Sequence, residues 1–293
     1  MKYKYHLLAF SAVFFWGISL LSTRILLDSG FTPNNITFFR FLIAGSLIFF
    51  FRKNKKKTRI EKKDRKYFYL TALCGVTLFY YFENTGLKFT TVSNTALITA
   101  TIPLFTLLIA FSLLRKKMVW QNLIGIPLGL GGTFILFYKD ILDSGIHLKG
   151  DIFVFGSVIM WTIYSFVYKK IMHKYNVIFF TYKVFLYGVI FLIPFMVFEY
   201  KSFINIKFNV SAGLHLLFLS VLCSCLGYYF WNLAVKNIGI KVIANLILLI
   251  PIVSITCGII FLNEPFSINL IISTVLIMLG AFLTSISDEK NRF

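Results

Sequence analysis

The stretch YYFENTGLK at residues 80–88 returns at residues 228–236 as YYFWNLAVK, with five of nine positions identical. The one acid of the first copy, Glu83, stands as Trp231 in the second. The offset of 148 holds without a gap for about fifty residues, pairing Asn84 with Asn232, Ala96 with Ala244, Pro103 with Pro251 and Gly132 with Gly280. Upstream, Trp16 matches Trp161 at an offset of 145 and Arg40 matches Lys183 at 143. The chain reads as two homologous halves whose loops differ in length.

Both copies stand in apolar surroundings. Of 293 residues, 58% are hydrophobic and 14% charged, with a mean hydropathy of +0.81. A soluble domain has about 45–50% apolar and about 25% charged residues. Apolar runs long enough to cross a hydrocarbon core about 30 Å thick recur along the chain. Ten spans are expected, near 7–28, 34–51, 67–87, 92–114, 118–138, 151–172, 177–198, 211–235, 240–262 and 267–287. The first exceeds a signal-peptide core and no small-residue cleavage site follows it, so it is expected to remain in the protein. The fold class is an all-α polytopic membrane protein, with five-helix repeats at 7–138 and 150–287.

Five is an odd number, so the second repeat enters the bilayer from the opposite side. That predicts an inverted-topology pair related by an axis in the membrane plane. With the N-terminus inside, the inward segments hold 22 of the 30 basic residues, and the outward loops hold only Lys88, Lys139, Lys149, Lys201 and Lys207. Positive charge concentrates on the cytoplasmic side, so both termini are expected there. The setting is a cell membrane, read as the inner membrane of a bacterium. The basic run RKNKKKTRIEKKDRK, residues 52–66, sets topology and touches anionic headgroups. A short tether offers no surface for reading nucleic acid, and no such partner is expected.

Other chemistry is not visible. The four cysteines, Cys74, Cys223, Cys225 and Cys257, fall inside spans as small packing groups. The four histidines are scattered, and no HExxH, GxSxG or P-loop pattern occurs. No enzyme activity, metal or cofactor is expected.

AVFFWGISLLSTR (12–24), RFLIAG (40–45), GYYFWNLAVKNIG (227–239) and LILLIPIVSITCGIIFLNEP (246–265) resemble the EamA family of the drug/metabolite transporter superfamily. The likeness covers about residues 7–287, and LNE at Leu262–Glu264 departs from the family's usual LGE. The resemblance implies a ten-helix carrier whose central cavity is lined by spans 1–4 and 6–9, with spans 5 and 10 at the periphery. It also implies small cargo such as amino acids, other metabolites or drugs, often moved outward.

Three charges share one depth inside the spans. Arg24 and Glu83 lie roughly 6 Å, and Arg40 roughly 9 Å, from the outer ends of their helices. Charges in spans face a cavity or each other, and a guanidinium suits a carboxylate. Glu83 has three readings: a buried ion pair, a gate or proton-coupling group, or a contact for a cationic substrate. Arg24 has the alternative of pairing with Asp28 one turn on. Pro103 and Pro251 each free a carbonyl one turn earlier, at Thr99 and Ile247, and are hinge candidates. Trp16, Tyr80, Asn84, Asn94, Trp161, Tyr228, Asn232 and Asn245 are the candidates for lining a cavity, against helix packing or an interfacial aromatic belt. The segment GIPLGLGG, residues 125–132, brings a GxxxG spacing that serves close helix approach within the monomer or at a homodimer seam.

These features predict a secondary transporter, an exporter of a small amphipathic metabolite working by alternating access. Without an ATP-binding motif the drive is an ion gradient, protons included, or the solute's own gradient. A passive facilitator, and a ligand-binding membrane sensor or scaffold, are the alternatives.

Overall fold

The computed structural model describes residues 2–51, 59–114, 119–142, 147–171, 173–238 and 244–290. Among the described residues every regular element is helical. The helices are α1 (Lys2–Asp28), α2 (Pro33–Phe51), α3 (Arg65–Ala72), α4 (Phe79–Phe89), α5 (Val92–Thr99), α6 (Ile102–Leu114) and α7 (Trp120–Leu142). They continue as α8 (Leu148–Ile171), α9 (Val177–Phe198), α10 (Val210–Leu217), α11 (Gly227–Ile238), α12 (Leu249–Leu262) and α13 (Ile268–Lys290).

Helix is the conformation these residues require, because hydrocarbon offers no partner to a backbone N–H or C=O. Among the described residues, seven stretches are long and apolar enough to cross a membrane: Tyr3–Asp28, Pro33–Phe50, Val92–Ile109, Trp120–Tyr138, Leu148–Ile171, Val177–Phe198 and Val210–Val235. This makes the chain a multi-pass membrane protein. The row is less even than the ten spans hydropathy suggests. Leu246–Leu262 and Ile268–Thr284 are apolar but shorter, and residues 65–89 carry Arg65, Lys66, Glu83 and Lys88.

Two helices pass through π segments before their functional stretch. Leu73–Leu78 joins α3 to α4, and Phe218–Leu226 joins α10 to α11. Their last residues are 148 apart, the offset of the sequence repeat. Breaks recur close to this offset, the helices after them starting at Ile102 and Leu249. Residues 100–101 separate α5 from α6, and a 3₁₀ turn, Ala244–Leu248, precedes α12. Pro103 and Pro251 therefore do not kink a continuous helix. Each sits in the first turn of a new one, where a missing N–H costs little.

Packing pairs elements across the two halves of the sequence. α1 lies against α11 and α12, α2 against α9 and the second π segment, and α4 against α8. The most extensive pairing joins α7 to α13. A Cβ at Gly280 would stand 2.5 Å from the Gly125 carbonyl oxygen and 2.7 Å from Gly129 Cα. The GxxxG spacing is thus filled inside the chain, by the helix whose Gly280 mirrors Gly132.

Candidate functional site

Arg40 is a charge that the helices bury at their common crossing. It projects from α2, is 2% exposed, and its Nε donates to Ser224 Oγ of the second π segment at 2.7 Å. Its guanidinium carbon lies 4.6 Å from the centroid of the Tyr80 ring on α4 and 5.5 Å from that of Phe41. A cation over an aromatic face gains about 2 kcal/mol or more when water is excluded. One hydrogen bond and two rings leave both Nη groups without a partner among the described residues.

Glu83 leaves α4 one turn after Tyr80. Its direction follows from its neighbours. Phe79 packs on Trp161 of α8 at 4.8 Å, Phe82 covers Gly156 and Gly86 abuts Val154, so that arc of α4 faces α8. Tyr80 meets Phe41, Asn84 Nδ2 donates to Thr37 Oγ1 at 3.1 Å, and Leu87 packs with Leu20, so the other arc faces α1 and α2. At roughly 100° per residue, Glu83 points between these arcs into the middle of the bundle. It forms neither hydrogen bond nor ion pair with a described residue. The direct ion pair, one of the three readings of Glu83, is not formed between these two described residues. Ser224 draws the guanidinium toward α10 and α11 instead.

Aromatic rings enclose this pair. From Trp231 the contacts run to Trp16 at 5.6 Å, Tyr228 at 5.8 Å, Phe185 at 5.3 Å and Phe41 at 4.8 Å. Tyr80, Phe79, Trp161 and Tyr164 continue the chain at 5.0, 4.8, 4.8 and 4.9 Å. The Trp16 indole donates to the Cys223 carbonyl at 3.0 Å, so an acceptor in the loosened π segment is satisfied from α1. Gly227 permits this approach, since a Cβ there would lie 3.0 Å from the indole nitrogen.

Polar clasps flank this centre at both ends of the bundle. Where α4 gives way to α5, Glu264 accepts from Val92 N at 2.6 Å, Ser93 N at 3.0 Å and Ser93 Oγ at 2.6 Å. A carboxylate on a helix N-terminus is favoured by the dipole. Asn263, at φ 53°, ends α12 and turns Glu264 toward it. Asparagine tolerates that left-handed conformation, which accounts for LNE in place of LGE. Buried Asp151 accepts from Thr90 Oγ1 at 2.6 Å and from Asn94 at 3.3 Å. At the opposite end, Asp64 accepts from Lys174 Nζ at 3.1 Å and from the Tyr175 hydroxyl at 2.9 Å. Burial alone would raise the Asp64 carboxyl, but these two donors outweigh it and hold it below the ordinary aspartate value.

Trp16, Arg40, Tyr80, Glu83, Trp161 and Tyr228 thus come together. Arg24 does not join them. It binds Asp28 at 3.2 Å and donates to the carbonyls of Leu87 and Thr90 at 3.0 and 3.1 Å, clipping the end of α4. Asn84 ties α4 to α2, Asn94 belongs to the Asp151 clasp, and Asn232 sits partly buried on α11. The side chain of Asn245 lies outside the described residues. Sequence reasoning missed Ser224, Asp151 and Asp64. A serine in SVLCSCL carries no signal, although Asp64 stands beside a positional clue, the start of an apolar run. A cavity of about 270 Å³ lies at the Glu264 clasp, lined by Arg24, Lys88, His147 and Glu264, and another of about 360 Å³ is lined by Ile48, Thr181, Cys225 and Tyr229; neither lining includes Arg40 or Glu83.

The profile of the EamA-like transporter family matches residues 3–138 and again 148–286. An uncharacterized transporter of Archaeoglobus fulgidus is 29% identical over 296 residues, spanning 99% of this chain and 100% of its own. The uncharacterized transporter YetK of Bacillus subtilis is 27% identical, over 86% of this chain and 78% of that protein. A crystal structure with 18% identity superposes with a TM-score of 0.63 over 96% of this chain and 97% of the other, which is a likeness of fold.

Proposed function

Because the chain belongs to the EamA-like transporter family, we propose that it is a secondary carrier with its solute site at Arg40 and Glu83. It lies in the cell membrane with both termini cytoplasmic. Its two repeats, 7–138 and 150–287, are inverted about an axis in the membrane plane, and spans 1–4 and 6–9 surround this centre while spans 5 and 10 stay peripheral. One observation carries the reading: a guanidinium anchored across the repeats on Ser224, and a carboxylate without a partner among the described residues, share a sleeve of rings drawn from both repeats. Unpaired charge inside a protein costs several kcal/mol, and a cargo that completes it is the reason to keep it.

The flanking clasps suit alternating access, since opening one end requires breaking only the bonds at that end. Glu264 and Asp151 would hold one gate, Asp64 and Lys174 the other. Glu83 is the group that would couple protons to movement, and the cargo moves outward.

Reconstitution of the purified chain in proteoliposomes tests this directly. A coupled carrier accumulates solute against its gradient when a proton gradient is imposed, a facilitator only equilibrates it, and a sensor or scaffold gives no flux. Glu83→Gln is expected to abolish accumulation and flatten the pH dependence of flux while leaving equilibration. Unchanged pH dependence would remove Glu83 from coupling.

A further inference from the structure

We infer that the end of the bundle bearing Glu199 binds an alkali cation, sodium or potassium, through oxygens from both halves of the chain. The site is separate from Arg40 and Glu83, and the inference stands without the carrier reading. Glu199 follows the last residue of α9 and is half-buried. Its two oxygens accept from Thr32 Oγ1 at 2.6 Å and from Asn34 Nδ2 at 2.7 Å, both neutral donors at the start of α2. It forms no ion pair with a described residue. Its negative charge is held in place but not balanced.

Orphaned oxygens stand beside it. Asn34 and Asn84 are 3% and 1% exposed, yet Asn34 Oδ1, Asn84 Oδ1 and Thr85 Oγ1 are buried without a hydrogen-bond partner among the described residues. Buried polar atoms are rarely left so. The amides cannot turn over to relieve this. Asn34 must present its NH₂ to the carboxylate, and Asn84 must present its own to the Pro33 carbonyl at 3.4 Å and to Thr37 Oγ1 at 3.1 Å, whose proton already goes to that carbonyl. Thr85 points toward the same place. Tyr81 of α4 meets Phe195 of α9 at 6.2 Å, both helices run toward the start of α2, and one turn further along them come Thr85 and Glu199.

The chemistry of these groups selects the ligand. The first N–H groups of α2 are spent on Thr32, Asn35 N on its Oγ1 and Ile36 N on its carbonyl, each at 3.1 Å. What remains is oxygen: carboxylate, amide carbonyl and hydroxyl, the ligands of hard cations. One carboxylate among neutral oxygens balances a single positive charge, which favours an alkali ion over calcium, whose sites take about six to eight oxygens and more acid. An ion there joins Asn34, Asn84 and Thr85 to Glu199 across the two halves, and so tightens the closure of that end.

The test uses the full chain in detergent, its thermal midpoint followed in sodium, potassium and choline chloride at equal ionic strength, and again with calcium chloride added to the choline. Saturating sodium or potassium is expected to raise the midpoint by about 3 °C over choline. Glu199→Gln, which keeps the shape and deletes the charge, should abolish this response. Thr85→Val, which deletes a single oxygen, should weaken the ion about tenfold. Should Glu199→Gln fail to fold, Thr85→Val carries the test alone, since its hydroxyl holds no other bond among the described residues. Equal midpoints in all three chlorides overturn the inference, as does a response that survives both substitutions or one confined to calcium. Those results would leave the solute site at Arg40 and Glu83 as it stands. An alkali-cation response without flux of any solute would instead sink the carrier and keep the ion site.

Discussion

Arg40 and Glu83 were legible from the sequence as charges inside apolar runs, because hydrocarbon makes such residues costly and so conspicuous. Their relation was not legible. A shared depth in the spans offered a direct pair as one reading, whereas Arg40 is held by a hydrogen bond to Ser224, 184 residues away. A serine costs nothing in a span and so announces nothing. Ser224→Ala should leave the Arg40 Nε without its acceptor and destabilise the protein by about 1–3 kcal/mol, the usual cost of an unmade buried bond. Thermal unfolding of the purified chain measures it; an unchanged midpoint would mean that the rings alone place the guanidinium. Glu264 shows the reverse case. Asn263 looked like a minor departure, but its left-handed backbone aims the next carboxylate at the start of α5.

Helix content was readable at the scale of elements, while the manner of each helix was not. The π segments 73–78 and 218–226 follow no rule of apolar spacing, since a π turn differs from an α turn only in which carbonyl each N–H finds. The two prolines stood in the sequence as hinge candidates; in the fold each lies in the first turn of a new helix. The α7–α13 seam depends on backbone contact at Gly280, where side chains cannot repack. Gly280→Leu is expected to cost about 3 kcal/mol, the upper range for overpacking, read as a lower unfolding midpoint; retention of the wild-type midpoint would mean that the seam does not exist. The Asp64 clasp has an acid-sensitive contribution. Because its folded value is depressed, the clasp stabilises fully above the ordinary aspartate range, about pH 4, and is lost as pH falls through the lower folded value. Wild type and Asp64→Asn should therefore converge in stability on acidification from about pH 7 to about pH 3. A constant difference would refute the assignment.

The whole molecule is where the doubled phrase says most. An offset of 148 recurs in the sequence and in the ends of the two π segments, and the breaks ahead of Pro103 and Pro251 fall close to it. Duplication was legible because side chains record it. What completes the site was not, because contacts such as Trp16 to Cys223 and Arg40 to Ser224 join residues that no local pattern connects. The account stands on the two repeats lying in opposite senses in the bilayer around that shared centre. Single cysteines placed at Lys88 and at Lys236, probed in intact and opened cells with a membrane-impermeant thiol reagent, test this most directly. The four native cysteines are buried and remain silent. Labelling of position 88 from outside, and of position 236 only after opening, is the expected result; labelling of both from the same side contradicts the account.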